Sequence, residues 1–220
     1  MATNTTPALF LPAFGGQGTG VFDTRNAPYQ GFNVATTPSA VTLLTACHAA
    51  LHTELASLSS ATLENVDICA SDFADKHSIL NPTNERLLDN PAFCGPRLFL
   101  IQVLQYISFV ENGRVPVSPT PFVDALRSNL NHAVGILGFS SGIISACVVA
   151  TSATLHSFIC YAVEAYRLAF WIGVRSQLYR AGLSAWPTRG YRLRPWSLVL
   201  LGMNKTDIQN AVDHFNEVNF

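Results

Sequence analysis

Apolar residues recur along the chain with two clear periods. Leu43, Leu44, Cys47, Leu51, Leu55 and Leu58 follow one another at spacings of three and four, which predicts an amphipathic helix over 39–58, with Thr37 or Ser39 as its cap. From Phe93 to Val110 the apolar positions lie on nearly every side, which predicts a buried helix. Gln102 falls inside it, and a buried amide needs partners. It either bonds backbone or faces a site. Leu155 to Tyr179 reads as a long amphipathic helix with Phe158, Ile159, Ala162, Ala165, Tyr166, Ala169 and Phe170 inward. Glu164 and Arg167 are spaced to pair on its outer face. Ile208, Val212 and Phe215 share one face of a last helix opened at Asn204 or Thr206.

Shorter apolar runs predict strands at Ala8–Phe14, Ala133–Leu137 and Trp196–Leu201. Pro12 is a mild objection to the first. Prolines 116, 119 and 121 break the chain before a short helix at Phe122–Leu130. Residues 59–90 hold Glu64, Asp67, Asp72, Asp75, Glu85 and Asp89 and read as short helices and loops on the surface. Helices and strands together predict an α/β fold with a parallel sheet.

The richest junction is Gly138-Phe139-Ser140-Ser141-Gly142. A short apolar strand precedes it and an uncharged run able to form a helix follows. In that context G-x-S-x-G places a serine on a strained bend with its hydroxyl exposed, and the glycines keep the strand and helix crossing free of Cβ atoms. Ser140 is therefore a candidate nucleophile. A second glycine cluster, Gly15-Gly16-Gln17-Gly18-Thr19-Gly20, follows the first strand. It is either a plain turn or a loop whose backbone approaches a ligand closely. It has neither the Gly-Lys-Ser/Thr of a phosphate loop nor the dinucleotide fingerprint.

Composition narrows the picture. The chain has 220 residues, 49% hydrophobic and 12% charged, with a formal net charge of −1. No basic footprint for nucleic acid exists. The five cysteines include no C-x-x-C pair, which argues against a disulfide framework or zinc site and for reduced, mostly buried thiols in a cytoplasmic protein. His48 and His52 stand one helical turn apart; metal ligation at that spacing lacks a third ligand in the sequence, so surface histidines are the preferred reading and no metal is expected. Ala133 to Val163 carries no Asp, Glu, Lys or Arg and is long enough to span a bilayer. It also holds His156, five serines and two threonines, so a buried strand and helix is preferred. No basic n-region marks a secretory signal.

Four ordered pieces carry a family resemblance: Phe14-Gly15-Gly16-Gln17-Gly18, Ile101-Gln102, the Gly138–Gly142 junction, and Phe170-Trp171-Ile172-Gly173-Val174-Arg175. Together they resemble the acyltransferases of fatty-acid and polyketide synthases. The chain is most similar to the acetyltransferase domain of the fungal fatty-acid synthase β chain and to the starter-unit acyltransferase domain of fungal non-reducing polyketide synthases, from about residue 8 onward. Gly-Phe-Ser-Ser-Gly-Ile and Pro195-Trp196-Ser197-Leu198-Val199 resemble the mushroom branch.

The resemblance implies an α/β-hydrolase-like large subdomain over 8–186 after a tail at 1–7, with a linker and the start of a ferredoxin-like small subdomain over 187–220. It implies transfer of an acyl group from coenzyme A, through an ester on Ser140, to the phosphopantetheine thiol of an acyl carrier protein. Coenzyme A then enters as substrate, with no bound cofactor. The oxyanion would be held by backbone N–H groups of Gln17 and Ser141. Ile172, Phe139 and Gln102 fall at the substrate. Ile172 stands where extending acyltransferases carry an arginine, which implies a neutral acyl group such as acetyl. Arg175 is then a structural cation near a helix C-terminus. Many starter-unit domains have cysteine at the nucleophile position; this chain has serine.

One departure bears on activity. The family's downstream histidine has no match, since His156 and His214 stand in other contexts. The chain is therefore expected to be an N-terminal piece of such a domain, without efficient turnover of its own. Whether it is an enzyme is left open. The alternatives are a non-catalytic remnant docking to a synthase or carrier protein, a serine hydrolase, and a membrane protein.

Overall fold

The computed structural model describes residues 11–16, 37–111, 135–184 and 204–219. They are mostly helical, with one parallel two-stranded sheet. Strand β1 is Ala13–Phe14 and β2 is Leu137–Gly138, in register Ala13 to Leu137 and Phe14 to Gly138. Leu137 N–H donates to the Pro12 carbonyl at 2.9 Å, and Phe139 N–H to the Phe14 carbonyl at 2.9 Å. Both strands are shorter than the apolar runs predict. Pro12 has no N–H for a longer ladder. Leu137 is 55% exposed, so β2 is not the fully buried strand expected. The predicted elements at 122–130 and 196–201, and the boundary at 186/187, lie outside the described residues.

Helix α1 spans Pro38–Ser57, one residue from expectation. The Thr37 hydroxyl accepts from Ala40 N–H at 3.3 Å, and Pro38 opens the first turn, where a missing N–H costs nothing. Its apolar stripe of Leu43, Leu44, Cys47, Leu51 and Leu55 is buried. Helix α2, Ser60–Val66, is capped by Ser59 and ends at Asp67 in the left-handed region, φ 55°. Three short 3₁₀ turns follow, Ala70–Phe73, Lys76–Ile79 and Glu85–Asp89.

This acidic segment is more than a solvated surface. Val66, Phe73, Ile79 and Leu87 reach the core. Two buried polar side chains fasten it to helix α3, Pro91–Glu111. The Asn90 amide donates to the Val66 carbonyl at 2.7 Å while its oxygen accepts from Ala92 N–H at 3.0 Å. Arg97 Nε donates to the Leu80 carbonyl at 2.5 Å.

Helix α4 is Gly142–Thr151 and helix α5 is Leu155–Ser184. Thr154 and Ser157 start α5 reciprocally: each hydroxyl accepts from the other's backbone N–H at 3.0 Å. The uncharged run at 133–163 is thus divided among β2, α4 and the start of α5, and the ten residues of α4 are too short to cross a bilayer. Helices α3 and α5 are long and apolar enough to do so, yet most of α3 is buried inside the fold.

The core is continuous from β1 to α5. Phe14 meets Tyr106 at 6.1 Å between ring centroids, and Tyr106 stacks on Phe158 at 6.0 Å. Phe158, Ala162, Tyr166, Ala169 and Phe170 are buried as the periodicity predicts, while Ile159 and Ala165 of the same expected face are half-buried against the core. Arg167 pairs with Glu164 at 3.3 Å and also with Glu54 of α1 at 3.4 Å. Two compact units divide the chain, Met1–Tyr179 and Arg180–Phe220. The second contains helix α6, Lys205–Asn219, capped where the Asn204 side chain accepts from Asp207 N–H at 3.0 Å.

Gly173 sets the approach of α5 to α3. A Cβ there would overlap the Pro91 carbonyl and lie 2.6 Å from the Ala92 Cα. Backbone on the far side cannot yield as a side chain can. Gly173→Ala is expected to destabilise the fold by about 1–3 kcal/mol, read as a lower urea midpoint at unchanged slope.

Candidate active site

The junction at 138–142 forms the sharp turn that its glycines predict. Phe139 N–H is held by β1, and Gly142 N–H donates back to the Phe139 carbonyl at 3.0 Å. Between them Ser140 has φ 52°. A non-glycine residue held left-handed costs about 1–2 kcal/mol. In return, the bend lifts the exposed Ser140 side chain out at the start of α4. Ile143 and Ile144 N–H groups close the first turn on the Ser140 and Ser141 carbonyls, at 3.1 and 3.3 Å. The positive end of α4 favours negative charge developing at Ser140.

Three glycines permit this packing. A Cβ on Gly138 would lie 2.6 Å from the Ile143 Cα. One on Gly142 would overlap the Phe14 carbonyl and lie 2.8 Å from the Gly15 oxygen. One on Gly16 would lie 2.6 Å from the Ser140 Cβ and 3.1 Å from its Oγ. The start of the glycine-rich loop therefore rests directly against the serine.

A buried amide fixes that arrangement. Gln102 Nε2 donates to the Gly15 carbonyl at 2.6 Å, and Ser145 Oγ donates to Gln102 Oε1 at 2.6 Å. Both side chains are buried. Gln102 thus joins the loop after β1 to α4, five residues beyond the serine, and orients Gly15 and Gly16 beside it. Of the two readings open for Gln102, the structure shows the backbone bond.

Comparison with known proteins places the chain in a family. A family model described as "Starter unit:ACP transacylase in aflatoxin biosynthesis", SAT, matches residues 13–219. The chain belongs to the SAT family. Orsellinic acid synthase ArmB of Armillaria ostoyae is 40% identical over 210 residues, covering 95% of this chain and 9% of that protein. Orsellinic acid synthase armB of Armillaria mellea is 37% identical over 212 residues, with 96% and 9% covered. An orsellinic acid synthase of Beauveria bassiana is 27% identical over 213 residues, with 94% and 9% covered. The chain spans about a tenth of the length of these relatives. No solved structure matches.

Within this SAT chain the expected site residues divide into two groups. Phe139, Ser140 and Ser141 share the bend, with Gln102 one shell behind through Gly15 and Ser145. Phe139 is 70% exposed, an apolar surface beside the serine. The Ser141 hydroxyl is buried with no partner among the described residues, so the bend carries a further cost there. Gln17 lies outside the described residues. Ile172 sits on α5 with its side chain exposed. Its neighbours explain the rest of that motif: Phe170 and Val174 are buried, Gly173 meets α3, and Trp171 Nε1 donates to Glu54 at 2.8 Å. Arg175 does not stand at a helix end. Helix α5 continues to Ser184, beyond the reach of an end-of-helix dipole.

The expectation of mostly buried thiols is corrected. Cys69, Cys147 and Cys160 are exposed; only Cys47 is buried and Cys94 half-buried. Burial raises the Cys47 thiol pKa well above the usual range and pushes Cys94 up to about 11. At Cys69 a hydrogen bond from the Ser71 hydroxyl lowers it. His156 lies 3.7 Å from the Cys160 sulfur, and among the described residues no histidine bonds Ser140.

Sequence reasoning missed Ser145 and the Gly15 carbonyl. A serine facing inward from an uncharged helix, opposite a glutamine on another, was the available signal. Gln102→Leu leaves the buried Ser145 hydroxyl without its partner and frees the half-buried Gly15 carbonyl. It is expected to cost about 1–3 kcal/mol in chemical denaturation, with Ser145→Ala in the same direction.

Proposed function

We propose that this chain carries the nucleophile of a starter-unit acyltransferase, with Ser140 taking a neutral acyl group from coenzyme A and passing it to the phosphopantetheine thiol of an acyl carrier protein within a polyketide synthase. The observation that carries this reading is the left-handed Ser140, φ 52°, exposed at the start of α4. Membership of the SAT family supports the substrate class. In the proposed chemistry Ser140 Oγ attacks the thioester carbonyl and coenzyme A leaves as its thiol. The carrier thiol then attacks the serine ester and the Oγ regains its proton.

The Ser141 N–H, with the expected Gln17 N–H, stabilises the tetrahedral oxyanion of each step. On this reading β1, β2 and the helices around them form an α/β-hydrolase-like acyltransferase subdomain, and α6 belongs to a small ferredoxin-like one. The apolar Ile172 offers no cation to a malonyl carboxylate, which supports a neutral starter. Among the described residues no histidine bonds Ser140, and on this reading the serine acylates and transfers slowly.

Incubation with acetyl-coenzyme A followed by peptide mass spectrometry is expected to find acetyl on the Ser140 peptide, absent in Ser140→Ala. Malonyl-coenzyme A is expected to label much less, and Ile172→Arg to narrow that difference. Acetylation that persists in Ser140→Ala contradicts the assignment. Rapid hydrolysis of the ester with no transfer to a carrier protein indicates a hydrolase instead.

A further inference from the structure

The two histidines of α1 make an arrangement that acyl transfer does not use. His48 and His52 have their Nε2 atoms 3.2 Å apart. Each is also close to the Phe73 carbonyl oxygen, at 2.8 Å and 2.9 Å. Both rings are half-buried and meet edge to face, with centroids 4.6 Å apart. Phe73 ends the first 3₁₀ turn; its own ring is buried and stacked on Phe93 at 5.7 Å. The carbonyl is therefore held in place from the core side. The sequence offers two ligands at i and i+4. The structure adds a third donor from 21 residues beyond His52.

The three atoms crowd one small triangle, and what occupies it depends on where the protons sit. With one Nε2 protonated, it donates to the carbonyl, and the other nitrogen turns a lone pair toward the same oxygen. With both protonated, each donates to the carbonyl, whose two lone pairs accept both, and the two donor nitrogens lie side by side 3.2 Å apart. With neither protonated, three lone pairs converge. A cation can take the place of those two protons, because with both Nε2 atoms unprotonated all three atoms present electron pairs to it.

The spacing also suits a metal. An ion about 2.1 Å from each nitrogen, the usual zinc–imidazole distance, would subtend roughly 100° across the 3.2 Å pair, between octahedral and tetrahedral angles. Imidazole nitrogen selects borderline first-row ions over calcium or magnesium. Among the described residues no group of three or more His, Cys, Asp or Glu gathers; the site emerges only when a backbone oxygen is counted.

We propose that His48, His52 and the Phe73 carbonyl form a three-donor site for a borderline divalent transition-metal ion, with Zn²⁺ as its representative. The ion clips α1 to the 3₁₀ turn ending at Phe73, and water completes its coordination. The role is structural and independent of Ser140.

The test uses the purified 220-residue protein, stripped with a chelator and titrated with Zn²⁺ alone by calorimetry and thermal melting. The expected result is one ion per chain and a higher Tm. His48→Gln and His52→Gln are each expected to weaken binding by about tenfold or more, since each removes one of three ligands. Absence of binding, or an affinity that neither substitution changes, overturns the proposal. A second readout needs no variant. Carbethoxylation of the wild-type histidines, mapped by mass spectrometry, is expected to show Zn²⁺ protecting His48 and His52 but not the exposed His77 and His156. Equal modification with and without Zn²⁺ also overturns it.

Discussion

The side-chain amide of Gln102 is where three separated stretches of the chain meet. From the middle of α3 it holds the Gly15 carbonyl with its nitrogen and the Ser145 hydroxyl with its oxygen. Ser145 is fully buried and has no water to turn to, so its bond offsets a desolvation penalty of about 1–3 kcal/mol, while the Gly15 carbonyl is half-buried. The amide is also directional. It has one donor side and one acceptor side, and only one arrangement of loop, α3 and α4 serves both. An apolar residue of the same size could fill the space but could not set that arrangement.

The bend at Ser140 lies between the two stretches this amide joins. The left-handed Ser140 stores about 1–2 kcal/mol, and Ser141 buries a hydroxyl without a partner among the described residues. Such strain persists only where the surroundings leave the backbone no alternative. Here β1 holds Phe139 N–H, α4 fixes the far side, and the backbone of Gly16 presses on Ser140 itself. The glycines are required because backbone meets backbone. The aromatic chain from Phe14 through Tyr106 to Phe158 anchors β1 from below. Stability in the core and geometry at the serine are thus parts of one packing arrangement.

How much of this the sequence disclosed varies with where each residue's partner lies. Helix α1 was legible because its leucines carry their own period and Thr37-Pro38 mark its start. The Ser140 bend was legible because its constraint is local, within five residues. The extent of the strands was not, since two-residue pairing is decided by Pro12 and by exposure at Leu137 rather than by the apolar run. Arg175 was misplaced because nothing in the residues after it stops α5 before Ser184. The acidic segment hid its role in Asn90 and Arg97, which bond backbone atoms of Val66, Ala92 and Leu80. Backbone atoms leave no mark in a sequence. The same reason hid the Gly15 end of the Gln102 bridge and the Phe73 oxygen between His48 and His52.

The account's central claim is that the Gln102 amide positions the nucleophile rather than merely filling the core. The direct measurement is the rate at which Ser140 is acetylated by acetyl-coenzyme A in folded Gln102→Leu protein, against wild type, at a temperature where both are native by circular dichroism. Release of the loop from the serine predicts a rate lower by about a hundredfold, the usual consequence of an ångström of misplacement. An unchanged rate in a folded variant would contradict the account and leave Gln102 as a packing residue.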